Sequence, residues 1–119
     1  MSVVHGVRVL TVPAEGPVIG DEAAALDLVG QAFGEEAEVV AVPVERLSPD
    51  FFRLATGVAG AIVQKFVNYR LRLVVVGDVA HRGEPAGPVA DWIREADRGR
   101  ELWFVADEVE LERRLAGRG

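Results

Sequence analysis

The segment RLRLVVV, residues 70–76, is the most strongly strand-like stretch of the 119-residue chain. Apolar and charged side chains alternate in its first half, and its second half is an uninterrupted apolar run. Continuous apolar runs of this length are typical of strands that are buried on both faces of a parallel sheet. The segment therefore predicts the central strand of an α/β domain.

Shorter strands and helices alternate on either side of this segment. His5-Gly6 separates two apolar runs and predicts a tight opening hairpin. Strands joined through helices form parallel pairs with right-handed crossovers. We therefore predict a single-domain α/β fold with a mixed, mostly parallel five-stranded sheet and four helices. The predicted strands are 1–4, 7–12, 38–42, 70–76 and 102–105, and the predicted helices are 21–34, 48–68, 88–98 and a last one after Asp107.

Periodicity also predicts which side chains form the core. In the first helix Leu26, Val29 and Phe33 recur on one face. The second helix contains a break, so its main part is expected to start near Ala55 or Thr56. The predicted core of the central strand and its flanking helices is Leu73, Val75, Ile62, Phe66, Trp92, Ile93 and Phe104.

The composition limits the classes of protein to which the chain can belong. Half of its residues are apolar and its formal net charge is −6, which suits one domain over residues 1–119 with residues 117–119 frayed. The absence of cysteine excludes disulfides, thiolate nucleophiles, zinc–thiolate sites and iron–sulfur clusters. Binding to nucleic acid or to anionic lipid is disfavoured, because both require clustered Lys and Arg.

Neither a leader nor a membrane span is predicted. The N-terminus MSVVHGVRV lacks a basic region followed by a long apolar stretch. The longest tight apolar run, residues 73–76, is much shorter than the roughly 18 residues of a membrane span. We therefore expect a cytoplasmic protein that makes no membrane contact.

Hydroxyl side chains are scarce, and two of them mark the start of the second helix. Ser48 precedes Pro49 and Asp50, an arrangement typical of a helix N-cap. Thr56 is followed by Gly57 on an otherwise apolar segment. Thr56 either caps or packs at a break in the helix, or it accepts a phosphate or contacts a partner. Ser48, Thr56 and Gly57 are therefore a candidate partner or phosphorylation site.

A candidate ligand loop follows the central strand. Asp78, His81 and Arg82 occur there, beyond the carboxyl end of a parallel strand, where α/β sheets bind their ligands. The alternative is that they are solvated loop residues, with Asp78 turning the chain after Gly77. The histidines show no metal-ligand spacing, and no phosphate-binding glycine motif is present. No catalytic residue, cofactor or metal is predicted.

Three segments of the chain resemble one known family, and the order of the elements resembles a second. FFRLATGVAGAIVQKFVNY (51–69), VVVGD (74–78) and DWIREADRGR (91–100) resemble a bacterial family, domain of unknown function 4180, and the similarity extends from the hairpin to the last helix. The element order is similar to STAS domains, the fold of the anti-sigma-factor antagonists. Those domains carry a regulatory Ser or Thr followed by Gly near the start of the second helix, where Thr56-Gly57 stands here. The resemblance implies a STAS-like fold and regulation through a protein partner.

Two functions remain open at this point. The first is a non-catalytic, STAS-like regulatory or protein-interaction module, which a shallow surface at the strand ends would favour. The second is a small-molecule-binding protein or enzyme that uses loops 13–20, 43–48 and 77–87, which a concave polar pocket would favour. A homodimer is also expected, because an exposed edge strand needs a cover, with the contact at the helix of Trp92 or the hairpin edge near Val3.

Overall fold

A five-stranded sheet organises the protein in the computed structural model, which describes residues 2–53, 56–77, 92, 95–96, 99 and 101–117. The strands lie side by side in chain order: β1 (Ser2–Val4), β2 (Val7–Thr11), β3 (Val39–Pro43), β4 (Arg72–Val76) and β5 (Leu102–Val105). β1 is antiparallel to β2, and the other neighbouring pairs are parallel. The predicted mixed, mostly parallel sheet is confirmed.

The described residues form three α-helices where four were predicted. They are α1 (Glu22–Gly34), α2 (Val58–Asn68) and α3 (Glu108–Gly117). The helix predicted at residues 88–98 lies outside the described residues for most of its length. The second predicted helix is divided: Pro49–Phe52 forms a separate 3-10 helix, and α2 follows the left-handed Gly57, whose φ is 75°. A further 3-10 helix spans Val44–Arg46.

The two faces of the sheet carry separate hydrophobic cores. Leu73 and Val75 of β4 belong to the core that α1 and α2 cover, and Val74 belongs to the core that α3 covers. All three residues are at most 1% exposed, so the predicted central strand is confirmed. Right-handed crossovers between parallel neighbours place the connecting helices on one face. Because α3 follows the last strand, it is free to cover the other face.

Most of the predicted core is buried. Ile62 and Phe66 of α2 and Phe104 of β5 are at most 7% exposed. Trp92 is half-buried, and its ring centroid lies 5.4 Å from that of Phe104. Ile93 lies outside the described residues. The register predicted for α2 and the central strands is therefore correct.

The predicted inner face of α1 is wrong in two of its three positions. Leu26 and Phe33 are 41% and 54% exposed, and only Val29 is buried as expected. Ala25 and Ala32 allow the inner face of the helix to lie close to the sheet, and Leu26 and Phe33 lie on its outer side. The buried residues of α1 are Ala25, Leu28, Val29 and Ala32.

The predicted turn at His5-Gly6 and the predicted N-cap at Asp21 are both confirmed. His5 and Gly6 adopt φ angles of 49° and 82° in the two-residue turn between β1 and β2. Asp21 caps α1, because its carboxylate accepts a hydrogen bond from the Ala24 amide at 2.9 Å. Both α1 and α2 therefore begin beside the carboxyl ends of the parallel strands.

Candidate functional site

The loops after β2 and β3 lie together at the carboxyl edge of the sheet. Ile19 forms a parallel bridge with Leu47. The Ile19 amide donates a hydrogen bond to the Arg46 carbonyl at 2.7 Å, and the Ser48 amide donates to the Ile19 carbonyl at 3.1 Å. These bonds join the two loops into one connected surface.

A single guanidinium holds the loop after β2 in shape. Nε of Arg46 donates to the carbonyl of Pro17 at 2.9 Å, and one terminal nitrogen donates to the carbonyls of Pro13 at 2.8 Å and Glu15 at 3.1 Å. A Cβ added to Gly16 would lie 2.7 Å from the guanidinium carbon. Arg46 therefore supplies the donors that this proline-containing loop lacks.

Sequence reasoning missed Arg46 because its partners are backbone carbonyls. Hydrogen bonds to the backbone leave no pattern of paired side chains in the sequence. The one available signal is the composition of residues 13–17, whose prolines and glycine cannot continue a regular ladder and leave carbonyls that need donors.

Replacing Arg46 with alanine is expected to lower the free energy of unfolding by about 1–3 kcal/mol, because three carbonyls lose a charged donor. Arg46→Lys should restore only part of this loss, since an ammonium lacks the planar fork of donors. Hydrogen exchange of residues 12–20 and urea unfolding provide the measurements. The exposed Arg53, replaced by alanine, is the control, and equal losses in both alanine variants would contradict the role of Arg46.

Ser48 caps the 3-10 helix that begins at Pro49. Its half-buried hydroxyl accepts a hydrogen bond from the Asp50 amide at 3.2 Å. The predicted N-cap is confirmed. A contact between Ser48 and a partner protein stays a prediction.

Thr56 lies in an exposed turn immediately before α2, named here the Thr56 turn (residues 50, 53 and 56–58). Its single hydroxyl proton is shared between two acceptors within hydrogen-bond distance, the carbonyl oxygens of Asp50 at 2.9 Å and Arg53 at 2.8 Å. The same oxygen accepts a hydrogen bond from the Val58 amide at 3.2 Å, past the intervening Gly57. One hydroxyl therefore connects the end of the 3-10 helix to the first turn of α2.

The predicted ligand loop starts where β4 ends. Gly77 has a φ of 136°, and a Cβ added to it would lie 2.5 Å from Cγ1 of Val44. The end of β4 therefore packs directly against the loop after β3. Asp78, His81 and Arg82 lie outside the described residues, and their role as a ligand site stays a prediction.

A cavity of about 340 Å³ lies at the opposite, amino edge of the parallel strands. Glu38, Arg70, Arg72 and Glu101 supply its charged lining. Arg70 has a φ of 59°, an uncommon conformation for a residue with a side chain. The guanidinium carbon of Arg72 lies 4.2 Å from the ring centroid of Trp103. This cavity lies at the edge opposite the predicted ligand loops 13–20, 43–48 and 77–87, which follow the strands.

A sequence profile described as Domain of unknown function (DUF4180) matches residues 4–115. The match covers most of the chain, from the last residue of β1 to Leu115 in α3. The chain belongs to the DUF4180 family. No curated protein and no solved structure matches the chain.

Among the residues that the structure describes in this DUF4180 protein, no polar or charged side chain is buried. Within the same ranges, no three His, Cys, Asp or Glu side chains gather in a group that could hold a metal ion. Thr56 is exposed, and its hydroxyl lies in a hydrogen-bonded turn beside the charged side chains of Asp50 and Arg53.

None of the helices that the structure describes in this DUF4180 chain combines the length and the apolar character that a membrane crossing requires.

Proposed function

We propose that this DUF4180 protein is a non-catalytic regulatory or protein-interaction module whose partner contacts the Thr56 turn. The element order supports this, because an opening hairpin is followed by alternating helices and strands. Thr56-Gly57 stands immediately before the second α-helix, the place of the regulatory hydroxyl in STAS domains. The proposal therefore includes STAS-like regulation, with a phosphate on Thr56 as the candidate signal.

The observation that carries the proposal is the exposure of a residue whose hydroxyl organises the local backbone. Thr56 is an exposed residue. A phosphorylated oxygen can no longer donate to the carbonyls of Asp50 and Arg53. The phosphate also adds about −1.5 to −2 charges and attracts arginine. Arg53 lies 3.4 Å from the Asp50 carboxylate in the unmodified protein, so the phosphate would compete with Asp50 for it. Modification is therefore expected to change the shape of the turn.

Thr56→Val should lower the free energy of unfolding by about 1–2 kcal/mol, because it removes the hydrogen bonds of the hydroxyl while keeping the side-chain shape. Thr56→Ser should retain most of the stability. Urea unfolding and hydrogen exchange of residues 50–58 measure the effect. Thr11→Val, at an exposed threonine at the end of β2, is the matched control. Unchanged exchange in Thr56→Val would contradict the organising role of the hydroxyl.

Binding to a partner tests the function itself. The wild-type protein and Thr56→Glu serve as baits in a lysate of the native cell, and a captured protein is then purified and titrated by calorimetry. We expect Thr56→Glu to change its affinity by about tenfold or more. Val109→Ser, on α3 over the other face of the sheet, should bind as the wild type does. A partner that binds all variants equally would contradict the Thr56 turn as the contact.

Binding of a small molecule is the second candidate function, and the amino-edge cavity favours it. The cavity has a volume of about 340 Å³, and its lining includes two glutamates and two arginines. Lining groups of both signs suit a zwitterionic ligand of amino-acid size. An amino acid that raises the melting temperature of the wild type but not of Arg70→Ala would favour this function over an interaction module.

We further propose that two copies pair through the outer edge of β1. β1 forms one edge of the sheet, and its Val3 is 61% exposed. An unpaired edge presents backbone donors and acceptors to another strand. Light scattering at high micromolar concentration should give twice the chain mass of 12.8 kDa, and Val3→Lys should give the single-chain mass. A single-chain mass for the wild type would contradict the pairing.

A further inference from the structure

Helix α1 has more apolar surface than the sheet covers. At 100° per residue its apolar residues span about two-thirds of the helix circumference, whereas contact with a core needs an arc of roughly 100°. The residues of the inner arc are buried. A second set faces outward and is exposed; it is named the outer stripe and consists of Ala23, Leu26, Gly30 and Phe33.

The outer stripe has two exposed apolar side chains with an open notch between them. Leu26 and Phe33 lie about two turns apart on one side of α1 and are 41% and 54% exposed. Between them, a Cβ added to Gly30 would meet nothing within 4 Å, so the backbone there is open. Glycine inside a helix is destabilising relative to alanine. Close approach of another backbone to this notch would offset that cost.

Helix α2 extends and borders the stripe. Tyr69, at the end of α2, is 43% exposed, and its ring packs edge-on against Phe33 at 5.3 Å. At the start of α1, the Glu22 carboxylate lies 3.4 Å from Nζ of Lys65. The exposed apolar surface therefore continues from Leu26 across to the neighbouring helix.

The charges around the stripe are predominantly negative. Lys65 offsets part of this charge through its ion pair with Glu22, and the guanidinium of Arg8 donates a hydrogen bond to the Glu35 carbonyl at 2.9 Å. The remaining field favours a positively charged partner. The acidic residues on α1 and at its two ends are Asp21, Glu22, Asp27, Glu35 and Glu36.

We propose that the outer stripe binds a basic amphipathic helix of a partner protein. Its apolar face contacts Leu26, Phe33 and Tyr69, and its Lys and Arg side chains meet the acidic border. What carries the proposal is the juxtaposition of an exposed apolar helix face, notched at Gly30, with carboxylates at its borders. A second copy of this chain is a poorer occupant, because each chain carries a net charge of −6 and would bring the same acidic border. The surface is separate from the Thr56 turn and does not depend on its function.

Two fluorescent peptides of about four helical turns test the proposal. One has Leu on one face and Lys on the other, and the second has Glu in place of Lys. In fluorescence anisotropy, the Lys peptide should bind the full chain at least about tenfold more tightly than the Glu peptide, and added salt should weaken it. Leu26→Ser and Phe33→Ser should each weaken binding about tenfold. Val109→Ser, at a valine 61% exposed on α3, should leave it unchanged.

Several outcomes would overturn the proposal. If the two peptides bind equally tightly, the partner need not be basic and the proposal is wrong. If Phe33→Ser binds the Lys peptide as tightly as Val109→Ser does, the outer stripe is not the binding site. A two-chain mass that Phe33→Ser reduces to a single chain would assign the stripe to a second copy. If the serine variants unfold, Gly30→Gln fills the notch with a better helix-forming residue, and unweakened binding by that variant would also overturn the proposal.

Discussion

Replacing Phe66 with alanine should lower the free energy of unfolding by about 3–5 kcal/mol, measured by urea denaturation. Phe66 is 0% exposed and lies in the core between α2 and the sheet. Its removal leaves a cavity that the close-packed neighbours fill only in part. The carbonyl of Phe66 also helps to terminate α2 after Asn68, because it accepts hydrogen bonds from the amides of Tyr69 and Leu71.

Phe33→Ala is the matched control for this substitution. The residue type is the same, but Phe33 is 54% exposed and keeps one edge contact with Tyr69. Phe33→Ala should lower the free energy of unfolding by about 1 kcal/mol or less. A loss below about 1 kcal/mol for Phe66→Ala would place Phe66 at the surface and contradict the register of α2.

Gly77→Ala should lower the free energy of unfolding by about 2–6 kcal/mol, because two unfavourable terms add. The φ of 136° lies in a region that side chains rarely adopt, which costs about 1–3 kcal/mol. The new Cβ would also lie 2.5 Å from Cγ1 of the buried Val44, an overlap that costs about 1–3 kcal/mol more. Thermal and urea unfolding measure the total.

A double variant separates these two terms. Val44→Ala removes the overlapping methyl groups, so Val44→Ala with Gly77→Ala should cost less than the sum of the single losses by about 1 kcal/mol or more. Gly30→Ala is the control glycine, since a Cβ there meets nothing within 4 Å and helix propensity should stabilise the variant by about 0.5–1 kcal/mol. Additive losses at positions 44 and 77 would show that the two residues do not touch.

The fold could be predicted from the sequence where a pattern of apolar residues is compatible with only one arrangement of buried faces. RLRLVVV has no polar position in its second half, so a strand covered on both faces follows, and Val74 and Val75 are both fully buried. His5-Gly6 likewise admits few backbone conformations and sits in the turn it predicts. Helix α1 differs because it is apolar on two faces. Periodicity alone could not decide which face of α1 lies against the sheet. One face carries Leu26 and Phe33, and the other is the buried face with Ala25, Leu28, Val29 and Ala32.

The candidate site was predictable only in part. Ser48 and Thr56 could be found because Ser-Pro and Thr-Gly are local patterns that interrupt an apolar segment. The three carbonyls that accept hydrogen bonds from Arg46, and the approach of Val44 to Gly77, depend on contacts between residues that are 29–33 positions apart in the chain. Such backbone contacts are set by tertiary packing and have no counterpart in side-chain periodicity.

Because each strand after β1 pairs with its predecessor in the chain, a nascent polypeptide can extend this sheet one strand at a time as it leaves the ribosome. Contacts between successive segments keep loop-closure costs low and favour rapid folding. The face that α3 covers is completed differently. Its Leu111 and Leu115 come from the last part of the described chain, so Val9, Val39 and Val74 stay accessible to water and to chaperones until those final turns are synthesised.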